Sequence, residues 1–348
     1  MENRVNNFLK MYRSKSTVKT YRWALTEYFK NVYGTNEHNL EQHVEQYFNE
    51  NRDVQEDVEN FFVSIKDKPP KTIQLMLAAV RTFLIENDVE LSQRFWRRLR
   101  KRIRGNRALT LDKVPSNLEL RRVLLHTPVQ GKALFLMLAS SGMRIGEALK
   151  LKIEDVELTE HPSKINIRGN YTKTGNSRIA FISEEATVTV QEWLKIRNDY
   201  LKSASRKSHL YKKNVEDPRL FPFEATTAYS IWKNALEKAG FEKRDATTNR
   251  HVIHPHVLRK FFRTRLGAVI PVDVAEALMG HEQYLTEVYR RYTVEDLAKF
   301  YLQGESALLV FTEAEEVSKL RVEVQERNKQ LQTFNLELQN RLARVENE

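Results

Sequence analysis

The chain has 348 residues, 41% hydrophobic and 30% charged, a balance that folds rather than staying disordered and leaves room for two domains. Its 57 lysines and arginines exceed its 46 aspartates and glutamates, and the resulting net charge of +11 draws the molecule towards polyanions such as nucleic acid. The lack of cysteine excludes disulfides, thiolate nucleophiles and cysteine-based zinc sites, and no apolar run reaches the roughly 18 residues of a membrane span; with no signal-peptide core in "MENRVNNFLKMYRSKS", a soluble, cytoplasmic protein without a membrane partner is expected.

Residues 1–105 read as helix. "STVKTYRWALTEYFKNVY" offers Ser16 as an N-cap and places Val18, Tyr21, Leu25 and Phe29 three or four residues apart. "HVEQYFNE", "VENFFVSI" and "TIQLMLAAVRTFLIEN" repeat that period, the last opening at Thr72 behind the breaker "KPPK". The region closes on "RFWRRLRKRIRGNR", eight basic residues in fourteen without one acid, a run that repels itself unless it meets phosphate. Arg97, Arg98, Arg100, Lys101, Arg102 and Arg104 are therefore candidate DNA contacts.

A linker at 106–114 leads to a second domain over 115–305. "SNLELRRVLLHT" and "GKALFLMLASSGMRIGEALKL" are helical, the second apolar enough to be buried. "SKINIRG" and "SRIAFIS" alternate as strands around "NYTKTGN", a hairpin with glycine where a positive φ is wanted. Helices resume at "EEATVTVQEWLKIRNDYL", and the aperiodic, basic "KSASRKSHLYKKNVEDP" reads as a mobile loop. From 306 onward, apolar "SALLVF" precedes a seven-residue recurrence at Val317, Val324, Leu331, Leu338 and Val345, with Leu320 and Phe334 between and Arg327 and Arg341 interrupting. That pattern fits either a coiled coil or an amphipathic helix on its own domain.

Four stretches hold groups suited to a phosphodiester: "GMRIGE" with Arg144, "YTKTGNSR" with Lys173, "HPHVLRKFFRT" with His256 and Arg259, and "MGHEQYLTEVYRRYT" with His281. The last also carries Tyr284, Tyr289 and Tyr292, with Arg290 and Arg291 as further phosphate contacts. A metal site from His251, His254 and His256 is disfavoured, since no carboxylates stand at ligand spacing. In order and spacing these elements resemble the tyrosine recombinase/integrase family of Xer and phage-integrase type, most nearly integrases of archaeal mobile elements.

The resemblance implies a mainly α fold with a small antiparallel sheet: a helical, SAM-like core-binding domain, a catalytic domain and a C-terminal helix. It implies a site-specific recombinase acting through a 3′-phosphotyrosyl intermediate without metal, ATP or other cofactor. Arg144 and Arg259 would clamp the scissile phosphate as planar bidentate donors, and His256, three residues from Arg259 on one helix face, would act as base or phosphate donor. Lys173 would be the general acid, His281 a phosphate donor, and Glu147 a brace rather than a reactant. The nucleophile would be Tyr289, with Tyr292 the alternative and Tyr284 a packing residue. Double-stranded DNA at two recombination sites, a homotetramer on that DNA, exchange of "SALLVF" between protomers and optional DNA-bending proteins are the implied partners, and the nucleoid the implied location. A topoisomerase of type IB and a catalytically silent DNA-binding protein of the same fold are the alternatives.

Overall fold

Short polar residues fix the starts of the N-terminal helices in the computed structural model, which describes residues 3–34, 39–105, 111–207, 214–280 and 292–311, with 326, 327, 331, 332 and 334 beyond. Helices α1 (Arg4–Lys10) and α2 (Lys15–Tyr33) begin behind Asn3 and Ser14. The expected cap at Ser16 is corrected by two residues, because extended Ser14 accepts from the Thr17 amide at 3.3 Å and Ser16 falls inside the first turn. After α3 (Leu40–Asn49), Asp53 caps α4 (Val54–Ile65) by accepting from two amides, of Gln55 and Glu56. Helix α5 runs Pro70–Ile85, so it opens two residues before Thr72: a proline in the first turn lacks only an N–H that would have no helical partner there.

Helix α6 (Gln93–Arg102) buries Phe95, Trp96 and Leu99 and leaves its arginines outside. These helices share an aromatic core in which Tyr28 meets Phe61 edge-on at 5.2 Å and its hydroxyl lies 2.9 Å from that of Tyr47. The chain divides into two units, residues 1–110 with 246–248, and 111–245 with 249–348.

In the second unit Ser116 and Glu119 form a reciprocal cap for α7 (Asn117–Leu125). The centre is α8 (Val129–Ser141), buried without interruption from Ala133 to Ser141. It ends at Gly142, where φ is +64° and a Cβ would come within 2.4 Å of the Phe262 ring, so only glycine fits. A short α9 (Ile145–Ala148) follows. The expected hairpin is β2 (Ser163–Ile167) and β3 (Arg178–Ile182), antiparallel with Ile165 opposite Ala180.

Two features escaped the alternation rule: a two-residue strand, β1 (Val156–Glu157), pairs with β2, and a 3-10 turn at Gly169–Tyr171 opens the connection. Helix α10 (Glu184–Lys207) is longer than expected and absorbs "KSASRK" from the supposed loop; residues 208–213 lie outside the described part. Helices α11 (Ala225–Ala239), α12 (Val257–Leu266), α13 (Val272–Met279) and α14 (Val294–Gly304) complete the unit. The molecule is thus mainly helical with one three-stranded antiparallel sheet, and among the described residues no helix is long and apolar enough to cross a membrane.

The segment expected to dock on a neighbour packs, in the single chain, on its own unit. Leu308, Leu309 and Val310 are buried, and the Glu185 carboxylate accepts from the amides of Val310 and Phe311 at 2.8 and 2.9 Å. The heptad seam lies almost wholly outside the described residues; 326, 327, 331, 332 and 334 are helical.

Candidate active site

The site is built where α8 ends. Arg144 caps α9 with an extended backbone, and its amide and one guanidinium nitrogen donate to the two oxygens of Glu147 at 3.0 and 2.9 Å. A second guanidinium reaches the same carboxylate: Arg178, at the head of β3, donates from Nη2 at 2.6 Å. Glu147 is 2% exposed. Burial alone would raise its pKa, but Arg178 and then Arg144 outweigh that and hold it below the ordinary carboxylate value.

Arg259, in the first turn of α12, is 4% exposed. Its Nη1 donates to the Gly142 carbonyl and its Nη2 to the Met279 carbonyl at 2.8 Å, so one side chain ties the end of α8 to the end of α13. Burial, reinforced by the positive charges of Arg144 and Arg178, lowers its pKa to about 10, and it stays cationic at neutral pH. Two guanidiniums thus pair with Glu147 and a third, Arg259, lies close enough to feel their charge, while the nearby Glu276 is paired with Arg263. The excess positive charge in a half-dry pocket suits an anion with several oxygens.

His256 stands at the rim just before α12. It is exposed, yet enough protein surrounds the ring that burial, followed by His254, Arg259, Lys260 and Arg144, lowers its pKa from 6.5. At neutral pH the ring is uncharged and can accept a proton. The His254 ring lies parallel to it at 6.4 Å, and His254 Nε2 contacts Asp112 at 3.1 Å, the carboxylate that also takes Lys260.

Arg144, His256 and Arg259 are therefore brought near one another. Lys173 is exposed on the turn between β2 and β3. That turn is shaped by Thr172, whose hydroxyl donates towards the Gly169 carbonyl at 2.9 Å and accepts from the Gly175 amide at 3.0 Å. Gly175 takes the expected positive φ, +85°.

His281, Tyr284, Tyr289, Arg290 and Arg291 lie outside the described residues. Tyr292 lies within them; its ring packs edge-on against Phe300 at 5.7 Å and its hydroxyl faces Asp273 Oδ2 at 3.4 Å. The six basic candidates, five on α6 and Arg104 just beyond it, are all exposed; Arg98 pairs with Glu59 and Arg102 stacks on Phe62 at 4.6 Å. Among the described residues Arg97, Arg100, Lys101 and Arg104 make no ion pair.

The sequence reading missed Arg178 and Asp112. A signal for Arg178 was present: residues 178, 180 and 182 share one face of β3, Ala180 and Ile182 are fully buried, and a charge in that register needs a partner inside. Asp112 left no such sign, since its partners, His254 and Lys260, are more than 140 positions away.

The fold and this site define a chain of integrase type. The crystal structure of a lambda integrase dimer bound to a COC′ core site matches with a TM-score of 0.53 at 12% identity, covering 84% of this chain and 77% of that one. Lambda integrase residues bound to DNA match at 0.51, also at 12% identity, covering 79% and 89%. At such identities the likeness is one of fold.

Among curated proteins, tyrosine recombinase XerA of Saccharolobus solfataricus is 25% identical over 238 residues, 68% of each chain. Tyrosine recombinase XerD of Corynebacterium glutamicum is 30% identical over 200 residues, 56% of this chain and 57% of that protein, so the match to it spans little more than half its length. The sequence pattern of the phage integrase family matches residues 109–297. The chain belongs to the phage integrase family and to its tyrosine recombinases.

Proposed function

We propose that this protein cuts and rejoins DNA at specific sites through a 3′-phosphotyrosyl intermediate, with residues 1–105 as a DNA-binding clamp half and 115–305 as the catalytic half. The observation that carries the reading is the pairing of Arg144 and Arg178 on one buried carboxylate, with buried Arg259 close enough to feel both charges and the His256 ring at the rim. In-line attack on a phosphodiester spreads charge over two non-bridging oxygens, and guanidiniums preorganised in a partly dry site stabilise it without reorganising.

The nucleophile assigned is Tyr289. Its phenol oxygen bonds to phosphorus, its proton passes to His256 or solvent, and the 5′-oxygen leaves with a proton from Lys173. His281 contributes a further hydrogen bond to the phosphate. The phosphodiester energy is kept in the tyrosyl ester, so resealing needs neither ATP nor metal. Tyr292 suits the role less well, since its hydroxyl faces a carboxylate and its ring is packed against Phe300. The family resemblance of its motifs supports double-stranded DNA bearing two recombination sites as the substrate and a homotetramer as the working assembly.

The test is a covalent trap with nicked duplexes carrying the ends of the protein's own DNA element. An SDS-resistant, protease-sensitive adduct mapped by mass spectrometry to Tyr289 is expected. An adduct on Tyr292 would keep the class and move the nucleophile, relaxation of plasmid without a partner site would point to a topoisomerase, and tight binding without any adduct would leave only a DNA clamp.

A further inference from the structure

Arg178 is an expensive residue to keep. Its side chain is only 11% exposed, it adds a third positive charge to a site whose Arg144 and Arg259 already repel one another, and its buried Nε has no hydrogen-bond partner among the described residues. A buried donor left without a partner weakens the fold. Glu147 would remain paired without it, because Arg144 reaches that carboxylate with both its amide and its guanidinium. Neutralising Glu147 is therefore not a sufficient reason for Arg178 to be there.

Its placement supplies a better reason. From β3 the Arg178 guanidinium grips the Glu147 oxygen that also accepts the Arg144 amide, so the pair fixes the cap of α9 and with it the root of the Arg144 side chain. Its aliphatic end lies under Gly280: a Cβ at that position would stand 2.8 Å from Arg178 Cδ and 2.9 Å from Nε, and Gly280 holds a φ of +70°. Gly280 directly follows Met279, whose carbonyl accepts Arg259, and directly precedes His281 in the chain. One planar side chain thus contacts the support of Arg144 on one side and, on the other, the turn that Arg259 also holds.

We propose that Arg178 is a positioning residue that sets Arg144 and Arg259 at their mutual spacing, acting through Glu147 and through its packing beneath Gly280. This rests on the assignment of those two arginines to the scissile phosphate. Arg178 itself need not touch DNA; its buried Nε faces protein. A lysine would keep the charge and one contact with Glu147, but it lacks the plane that lies against Gly280 and the second arm of the fork.

The experiment is single-turnover adduct formation at saturating nicked duplex, with DNA affinity measured in parallel, for wild type, Arg178→Met, Arg178→Lys, Arg144→Lys and the double variant Arg144→Lys/Arg178→Met. A misplacement of about 1 Å at such a site costs about 100-fold in rate. Arg178→Met is expected to lose about that factor with affinity changed less than about threefold, Arg178→Lys to recover part of it, and the double variant to lose clearly less than the product of the Arg144→Lys and Arg178→Met losses. Multiplicative losses in the double variant would overturn the proposal, as would a wild-type rate in either Arg178 single variant. If Arg178→Met unfolds, Arg178→Lys decides alone: a folded, tight-binding, slow enzyme supports positioning, and an unimpaired one refutes it. A wild-type protein that forms no adduct would instead fail the reading of function, before any variant is compared.

Discussion

Replacing His256 by asparagine keeps a side chain that can hydrogen-bond to phosphate but removes its titration. The ring's folded pKa lies below 6.5, through burial first and then through His254, Arg259, Lys260 and Arg144. A group with a depressed folded pKa favours the fold in its deprotonated form, so its contribution is complete above about pH 6.5 and is lost as the pH falls below that value. Stability and adduct formation should both decline on that acid side in the wild type. In His256→Asn the acid limb of the cleavage profile should flatten; an unchanged limb would place the titrating group elsewhere, and the His254–Asp112 pair, whose carboxylate is held low against its own burial by Lys260 and His254, would be the next to test.

Among the elements, the C-terminal strap is the most exposed to a single change. Glu185, in the first turn of α10, holds the amides of Val310 and Phe311, while Glu305 accepts from the Glu184 amide at 2.9 Å and Asn117 donates to the Leu309 carbonyl at 2.6 Å. Glu185→Ala removes two charge-assisted hydrogen bonds and should cost on the order of 2 kcal/mol. Hydrogen exchange should then accelerate at Val310 and Phe311, and protection equal to wild type would show that burial of Leu308–Val310 suffices.

Elements of this kind also show what the sequence could disclose. The hairpin and the buried α8 follow from periodicity, because a two-residue or an unbroken apolar pattern is a local signal. The grouping of Arg144, His256 and Arg259 was legible through resemblance, as an order of motifs along the chain. Arg178 and Asp112 act through partners on other elements, and two-residue β1 pairs with a strand it does not resemble. Such contacts are properties of the fold and leave at most the faint mark of a charge in a buried register. Even the helix starts moved by two residues, since Ser14 and Ser16 offer the same oxygen and only the backbone decides which one caps.

For the molecule as a whole, the net charge of +11 makes affinity for DNA depend on salt, and Arg97, Arg100 and Lys101 on α6 with Arg104 just beyond it should carry a distinct share. Each phosphate contact removed lowers the slope of log affinity against log salt by about 0.9. Substituting glutamine for Arg97, Arg100, Lys101 and Arg104 singly should approach that decrement, measured by fluorescence anisotropy across a salt series. Arg98→Gln, which gives up an existing pair with Glu59, should change it less. Equal slopes throughout would remove α6 from the DNA interface.

Tyr301 donates to the Ser140 carbonyl inside α8, and the strap from Leu308 to Phe311 closes on a residue more than 120 positions earlier. During synthesis the N-terminal helices are complete once residue 105 has left the ribosome, and they have their own aromatic core to collapse around. The second unit has no such freedom. Its central helix must wait, with its apolar surface uncovered, until the ribosome has added the last turns of α14 and the strap behind them. A transcript truncated between residues 105 and 311 would release a chain whose N-terminal helices are finished and whose second unit cannot close.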